Sequence, residues 1–255
     1  MGNLPRSASP KQRHAFSIGV DHGVPLRVDV TPNGAIRGMI AGLPPGSQAK
    51  VSGMMPLDGI IFPSRGAAVE PLQPSIGWST YVDSDFAAPG FFKQGDLCVL
   101  SGVLRMRDWN IQNAATWNAL LTTLPTACRP VDGRLIFNVD NDDNAHRVDV
   151  LPTGEVRWII GKRSQPWISL SGIAFYTDSV KNPLPLFNGW QAFKKGYRVP
   201  SFKRQGQYCA VSGVAFVSTM IEHVATLPTS CRPNAELTFT VNHHDTQWRI
   251  DVRAR

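Results

Sequence analysis

Long apolar runs are missing from this chain of 255 residues. No stretch approaches the roughly 20 residues that a helix needs to cross a bilayer, so membrane insertion is not expected. Charge is scarce as well: 18% of residues are charged against 42% hydrophobic, a balance that suits short strands and turns better than amphipathic helices. The chain has no Gly-x-Ser-x-Gly elbow, no Gly-x-x-x-x-Gly-Lys-Ser/Thr loop, no Gly-x-Gly-x-x-Gly and no His-Glu-x-x-His. The usual signatures of esterases, nucleotide binders and zinc proteases are thereby absent. Heptads and Gly-x-y tracts are absent too, which removes a coiled-coil or collagen-like stalk. There is no Asn-x-Ser/Thr sequon, which disfavours a secretory history. The start, Met1 to Lys11, is polar and carries no recognisable address, so the sequence reads as a mature form without a targeting peptide.

What is present is glycine, proline and repetition. The 22 Gly and 20 Pro punctuate short apolar runs, and the length suffices to bury a core without metal or disulfide staples. The formal charge of +7 permits an anionic partner. The basic groups, Lys162-Arg163, Lys194-Lys195 and Lys203-Arg204, are short and scattered, so they read as solvated faces and nucleic-acid binding is not expected.

Phe92-Lys-Gln-Gly-Asp-Leu-Cys98-Val-Leu-Ser-Gly102-Val returns as Phe202-Lys-Arg-Gln-Gly-Gln-Tyr-Cys209-Ala-Val-Ser-Gly213-Val. Thr123-Leu-Pro-Thr-Ala-Cys128-Arg-Pro130 returns as Thr226-Leu-Pro-Thr-Ser-Cys231-Arg-Pro233, with seven of eight residues identical. A third element occurs three times: Leu26-Arg-Val-Asp-Val30, His146-Arg-Val-Asp-Val150 and Trp248-Arg-Ile-Asp-Val252. Leu57-Asp-Gly-Ile-Ile-Phe62 likewise matches Leu170-Ser-Gly-Ile-Ala-Phe175. Internal duplication of this kind implies tandem structural units.

Laid in order, the middle copy, 77–175, is complete. The segment 14–62 holds only late elements and 189–252 only early ones, with one spare Arg-Val-Asp-Val arm. The expected fold is all-β: two β-sandwich domains, one over 77–175 and a second made by packing 14–62 against 189–252. Alternation in Leu135-Ile-Phe-Asn-Val-Asp140 and Arg147-Val-Asp-Val-Leu151 predicts strands with one face in a core and one in water. Pro-Asn-Gly34 and Pro-Thr-Gly154 supply the turns. Thr-Leu-Pro-x-x-Cys-Arg-Pro, with its missing donors, is expected to cross between sheets. The single helical candidate is Asn110 to Leu121.

Candidate chemistry is thin. Asp29, Asp149 and Asp251 each stand two residues after an Arg (Arg27, Arg147, Arg249), which on a strand predicts an exposed ion pair rather than a catalytic acid. Asp140-Asn-Asp-Asp143 could ligate calcium, but its counterparts lack the carboxylates, so a solvated hairpin tip is expected. The adjacent His243 and His244 would point to opposite faces of a strand and give no zinc site. The cysteines form two matched sets, Cys98 with Cys209 and Cys128 with Cys231. Disulfides Cys98–Cys128 and Cys209–Cys231 are one option, and reduced thiols are the expectation. No catalytic, cofactor or metal site is assigned. Trp158, which replaces Gly38 of the first copy, is a candidate for an assembly interface, as are Trp248, Arg249, Asp251 and Arg253 on the spare arm.

The run Leu-Pro-x-x-Cys-Arg-Pro, Leu-Ile-Phe-Asn-Val, Arg-Val-Asp-Val-Leu-Pro-x-Gly-x-Val and Trp-Ile-Ser-Leu-Ser-Gly-Ile-Ala-Phe resembles a β module of phage tail-fibre tips that also occurs in tandem in algal proteins. The version with Cys and two copies is similar to the diatom pyrenoid shell proteins. That resemblance implies a non-enzymatic chloroplast protein that self-associates into a sheet or tube at the pyrenoid periphery, with Rubisco or other pyrenoid proteins as further partners. The other function expected from the module is a glycan- or receptor-binding unit of a viral tail fibre.

Overall fold

The computed structural model describes residues 3–19, 25–39, 54–82, 85–108, 118–142, 144–161, 165–179, 182–244 and 246–254, and it is all-β. The first part holds β1 (His14–Gly19), β2 (Pro25–Val30) and β3 (Ile36–Met39). The middle holds β4 (Glu70–Pro71), β5 (Trp78–Thr80), β6 (Gly90–Gln94), β7 (Leu97–Ser101), β8 (Val103–Met106), β9 (Ala119–Thr123), β10 (Leu135–Asn141), β11 (Asn144–Val150), β12 (Glu155–Ile160), β13 (Trp167–Ser169) and β14 (Ala174–Tyr176). The last part holds β15 (Asn182–Pro183), β16 (Gln191–Ala192), β17 (Ser201–Gln205), β18 (Tyr208–Ser212), β19 (Ala215–Phe216), β20 (Leu237–His243) and β21 (Thr246–Val252).

The middle copy is a closed sandwich. Its sheets have the orders β10-β11-β12-β9 and β14-β7-β6-β4, with β13-β8-β5 as a smaller third. Leu100, Leu121, Val139, Val148 and Ile173 come from these sheets and their connections and join one buried cluster. Each such side chain is worth about 1.5–3 kcal/mol when removed from water. Every residue of that cluster lies within Leu72–Phe175, so the middle copy needs neither end of the chain to complete its core.

Several sequence expectations change here. Ala119–Leu121, the end of the helical candidate, lie in strand β9, while 110–117 fall outside the described residues. The β-branched Thr122 and Thr123 and the pairing with β12 favour the strand. Thr126–Cys128 forms a 3-10 turn that does not cross between sheets: it runs from β9 to β10, at opposite edges of one sheet. The register also shifts the match of β6 and β17, because Phe91 stands opposite Leu100 and Phe202 opposite Val211, which makes Phe91, not Phe92, the counterpart of Phe202. The cysteines are paired as Cys98–Cys128 and Cys209–Cys231, with Cα atoms 5.8 and 5.5 Å apart, contrary to the expected free thiols. The 3-10 turn carries Cys128 against β7, within reach of a bridge.

Trp158, expected at an interface, is buried. Its ring lies flat on His146 with centroids 5.1 Å apart and meets the edge of Trp78.

The first and last parts have their own sheets: β1-β2-β3, β15-β17-β18, β16-β19 and β20-β21. Among the described residues no strand ladder joins the two ends. They meet through side-chain bonds: the Gly19 N–H donates to Thr240 Oγ1 (2.9 Å), Gln247 to Ser17 Oγ (2.8 Å) and the Thr238 N–H to the Asp58 carboxylate (2.7 Å).

Candidate functional site

The thrice-repeated motif builds three equivalent hairpins, β1–β2, β10–β11 and β20–β21, in which His14, Leu135 and Leu237 stand opposite Val30, Val150 and Val252. The three surround a common centre. Gly19 of the first donates to Thr240 of the third, Asn242 of the third donates to Asn138 of the second (2.9 Å), and Asp140 of the second lies 3.9 Å from Arg27 of the first. Gly19, Asp140 and Asn242 occupy one position of the hairpin, five residues into its first strand, so the contacts run round a closed ring in one sense. Ring closure buries Asp140, which the sequence placed at a solvated tip, and burial raises its pKa well above the ordinary value despite Arg27 nearby. Asp143 of that tip falls outside the described residues.

Each of the first two hairpins also docks onto the copy that follows it, through the same short parallel bridge. Arg13 pairs with Phe86, and Arg134 with Tyr197. The Arg13 N–H donates to Asp85 O (3.0 Å) and Arg13 O accepts from Ala87 (2.9 Å); Arg134 repeats this with Gly196 (2.9 Å) and Arg198 (3.0 Å). Gly133 permits the approach, since a Cβ there would stand 2.8 Å from the Arg198 nitrogen, at φ +91°.

Under each bridge lies a charged cluster. Arg27 grips Asp29 with two bonds (2.8 and 3.0 Å), Arg13 adds further bonds to the same carboxylate, and Phe86 lies beneath both guanidiniums at 4.6 and 5.3 Å. In the next copy Arg147 grips Asp149 (2.7 and 2.9 Å) and donates to Tyr197 Oη (2.8 Å), with Arg134 alongside. Burial works against the Arg27 charge, but the Asp29 bonds outweigh it and raise the pKa; Arg147 is held the same way by Asp149. The sequence expected exposed ion pairs, whereas Asp29 and Asp149 are wholly buried. The polar face of each strand is covered by the following copy, which alternation within one strand cannot reveal.

The third cluster stays open. Arg249 donates to Asp251 (2.7 Å), which also accepts from Thr238 (2.9 Å), and the Arg249 bond lowers the Asp251 pKa. Arg253, just beyond β21, is exposed and lowers it further. Phe86 and Tyr197 lie over the first two Arg–Asp pairs, whereas in the third the Arg249 side chain is 47% exposed. Trp248, on the other face of β21, is half-exposed and stacks on His243 with centroids 3.8 Å apart. The structure thus gathers Trp248, Arg249, Asp251 and Arg253 on one open hairpin and takes Trp158 away from it.

The sequence reading missed Lys203 and Arg198, which tie the last copy to the middle one. Lys203, expected on a solvated face, binds Asp96 (3.0 Å) and Asp178 (2.5 Å) and lies 4.7 Å from the Tyr176 ring centre. The buried Arg198 donates twice to Tyr176 O (both 3.3 Å). Arg198 replaces Ala87 of the preceding copy, and that mismatch was the one available signal. Lys162-Arg163 falls outside the described residues. Among the described residues no helix is long and apolar enough to cross a membrane.

No family model and no curated protein matches the chain. Among solved structures it is similar to the crystal structure of the receptor binding protein (gp15) of Listeria phage PSA. The two are 16% identical, with a TM-score of 0.34, over 44% of this chain and 67% of that one.

Proposed function

We propose that this is a non-enzymatic structural protein that works by joining copies of itself into an extended sheet or tube. One observation carries the reading: core positions sealed in the middle copy stand open at both ends of the chain. Leu100 is fully buried while its counterpart Val211 is 50% exposed, and Leu170 is fully buried while its counterpart Leu57 is 45% exposed. Exposed halves of a repeated core are surfaces for association, and contacts that do not close on themselves extend. The purified protein should sediment as species that grow with concentration and show sheets or tubes under negative stain; monomers at all concentrations would refute the reading. A chloroplast pyrenoid with Rubisco as neighbour is the setting implied by the sequence resemblance alone. The two disulfides run against it, since a reducing stroma keeps thiols free.

A second reading is favoured by those disulfides together with the hairpin ring. A virion surface is an oxidising setting, and three hairpins closed about one centre give a single chain the symmetry of a trimeric fibre tip. The half-exposed Trp248 stacked on His243 would then offer a platform for a sugar ring. Glycan-array binding that is lost in Trp248→Ala, without sheets or tubes, would select this reading.

A further inference from the structure

We infer that the segment Ile60–Ser64 of one molecule adds as a strand to the free edge of β18 in a second molecule, so that the first part of one chain and the last part of another complete a sandwich. The inference rests on the self-association reading and names its contact.

The middle copy shows how this edge is covered. β14 pairs antiparallel with β7, Phe175 opposite Cys98, and the ladder continues with the Leu100 N–H donating to Ile173 O (2.8 Å) and the Thr177 N–H to Asp96 O (2.8 Å). In the last copy β18 corresponds to β7, with Cys209 for Cys98 and Val211 for Leu100. Its one partner is β17, and its other side pairs with nothing among the described residues.

The strand that would fit lies in the first part, already in shape. Leu57–Ile60 forms the same turn as Leu170–Ile173: the N–H of Ile60 donates to Leu57 O at 3.4 Å as that of Ile173 does to Leu170 O at 3.4 Å, and Gly59 and Gly172 have φ of +87° and +97°. Phe62 lies 6.3 Å from Phe16, as Phe175 lies 6.1 Å from the equivalent Phe137. Each turn rests on a neighbouring hairpin: a Cβ on Gly59 would touch Phe239 at 3.6 Å, and one on Gly172 would reach Phe16 at 3.9 Å. The first part is therefore one half of the sandwich, held in its assembled form, with Ile61 exposed and residues 60–64 in no ladder.

The registers are compatible. Carried over, Ile60 stands opposite Val211, Phe62 opposite Cys209 and Ser64 opposite Gln207. In an antiparallel ladder hydrogen-bonded pairs alternate with unbonded ones. The bonded positions are those matched to Ile173, Phe175 and Thr177, so Pro63, matched to Tyr176, falls where no donor is needed. The two ends do not form this pairing within one chain, which leaves a second copy as the occupant, and each addition leaves one open end on either side.

Cysteine cross-linking between molecules tests this at the unbonded pair Ile61 and Ala210, matched to Ala174 and Val99, where Cα atoms stand about 4.5 Å apart. Ile61→Cys protein mixed with Ala210→Cys protein should give, on mild oxidation, a covalent dimer of one of each, mapped to the introduced thiols with the native disulfides retained. Neither variant alone should cross-link, and the double variant should give a ladder of multimers. Val211→Lys, at a half-exposed site that a monomer tolerates, should weaken association at least tenfold in sedimentation. A double variant that cross-links within monomers overturns the inference. So does association that persists without cross-linking and is indifferent to Val211→Lys, which would leave the self-association reading standing. Absence of both association and cross-linking overturns both.

Discussion

Asp149 accepts bonds from Arg147 and Arg134 and is wholly buried, so its removal strands guanidinium charge under Tyr197. Breaking a buried pair from one side costs about 3–5 kcal/mol, and Asp149→Ala should lower stability by that amount in chemical denaturation. Asp251→Ala removes the same motif where the Arg249 side chain is 47% exposed, and should cost less than about 1 kcal/mol. Equal losses from the two would mean that the third cluster is covered after all. His14 provides a pH signature. Burial lowers its pKa from 6.5 to about 4, where it stands against Ser171 of the middle copy and stacks on Phe62. The unfolded chain therefore binds a proton near pH 6.5 that the folded chain refuses until about pH 4. Stability is full above pH 6.5 and falls by about 3 kcal/mol as pH drops across that window. Denaturation at pH 7 and pH 4.5 measures it, and His14→Leu, which installs the residue of the other two hairpins, should flatten this component.

At the scale of elements, the 3-10 turns Thr126–Cys128 and Thr229–Cys231 are fastened to an earlier strand of their own copy, β7 and β18, closing chain separations of 30 and 22 residues. Alkylation of the denatured protein should find no free thiols before reduction. Reduction should cost about 3–4 kcal/mol per bridge on the chain-entropy account. The two bridges should not respond alike. Cys98 and Cys128 are fully buried in the closed middle sandwich, whereas Cys209 is only half-buried on β18. In the dissociated protein mild reductant should therefore open Cys209–Cys231 first, and differential alkylation with mass mapping that found Cys98–Cys128 opening first would contradict this.

For the whole molecule, the ring of hairpins and the open ends make different demands on the first part of the chain. Deleting residues 1–62 removes one hairpin of the ring and most of the strand proposed to join copies. Among the described residues the middle sandwich draws no core residue from that part, so it should survive as one cooperative unit. The last part should lose protection in hydrogen exchange, because Thr240, Gln247 and Thr238 lose their partners. Extended assemblies should no longer form. Full β content together with unimpaired association would show that the first part is an appendage.

The duplication, the strands and the turns were legible in the sequence because they depend on short-range chemistry. Alternating apolar residues need one buried face, and Gly34 and Gly154 sit at φ of +84° and +90° where the Pro-x-Gly turns put them. The spare hairpin could be counted from three copies of Arg-Val/Ile-Asp-Val, but nothing local marked β20–β21 as the open one. That depends on which copy has a successor to dock on, a relation between segments more than 50 residues apart in the pairs Arg13–Phe86 and Arg134–Tyr197. Tertiary structure alone decided that Asp29 and Asp149 are buried while Asp251 is not, since the same three-residue motif has the same local preference in every copy. It decided Trp158 too, whose lack of a matched partner suggested a surface when the ring in fact fills the space over His146. The physical reason is common to these cases: a sequence pattern fixes which face of a strand a residue occupies, and packing fixes what lies beyond that face.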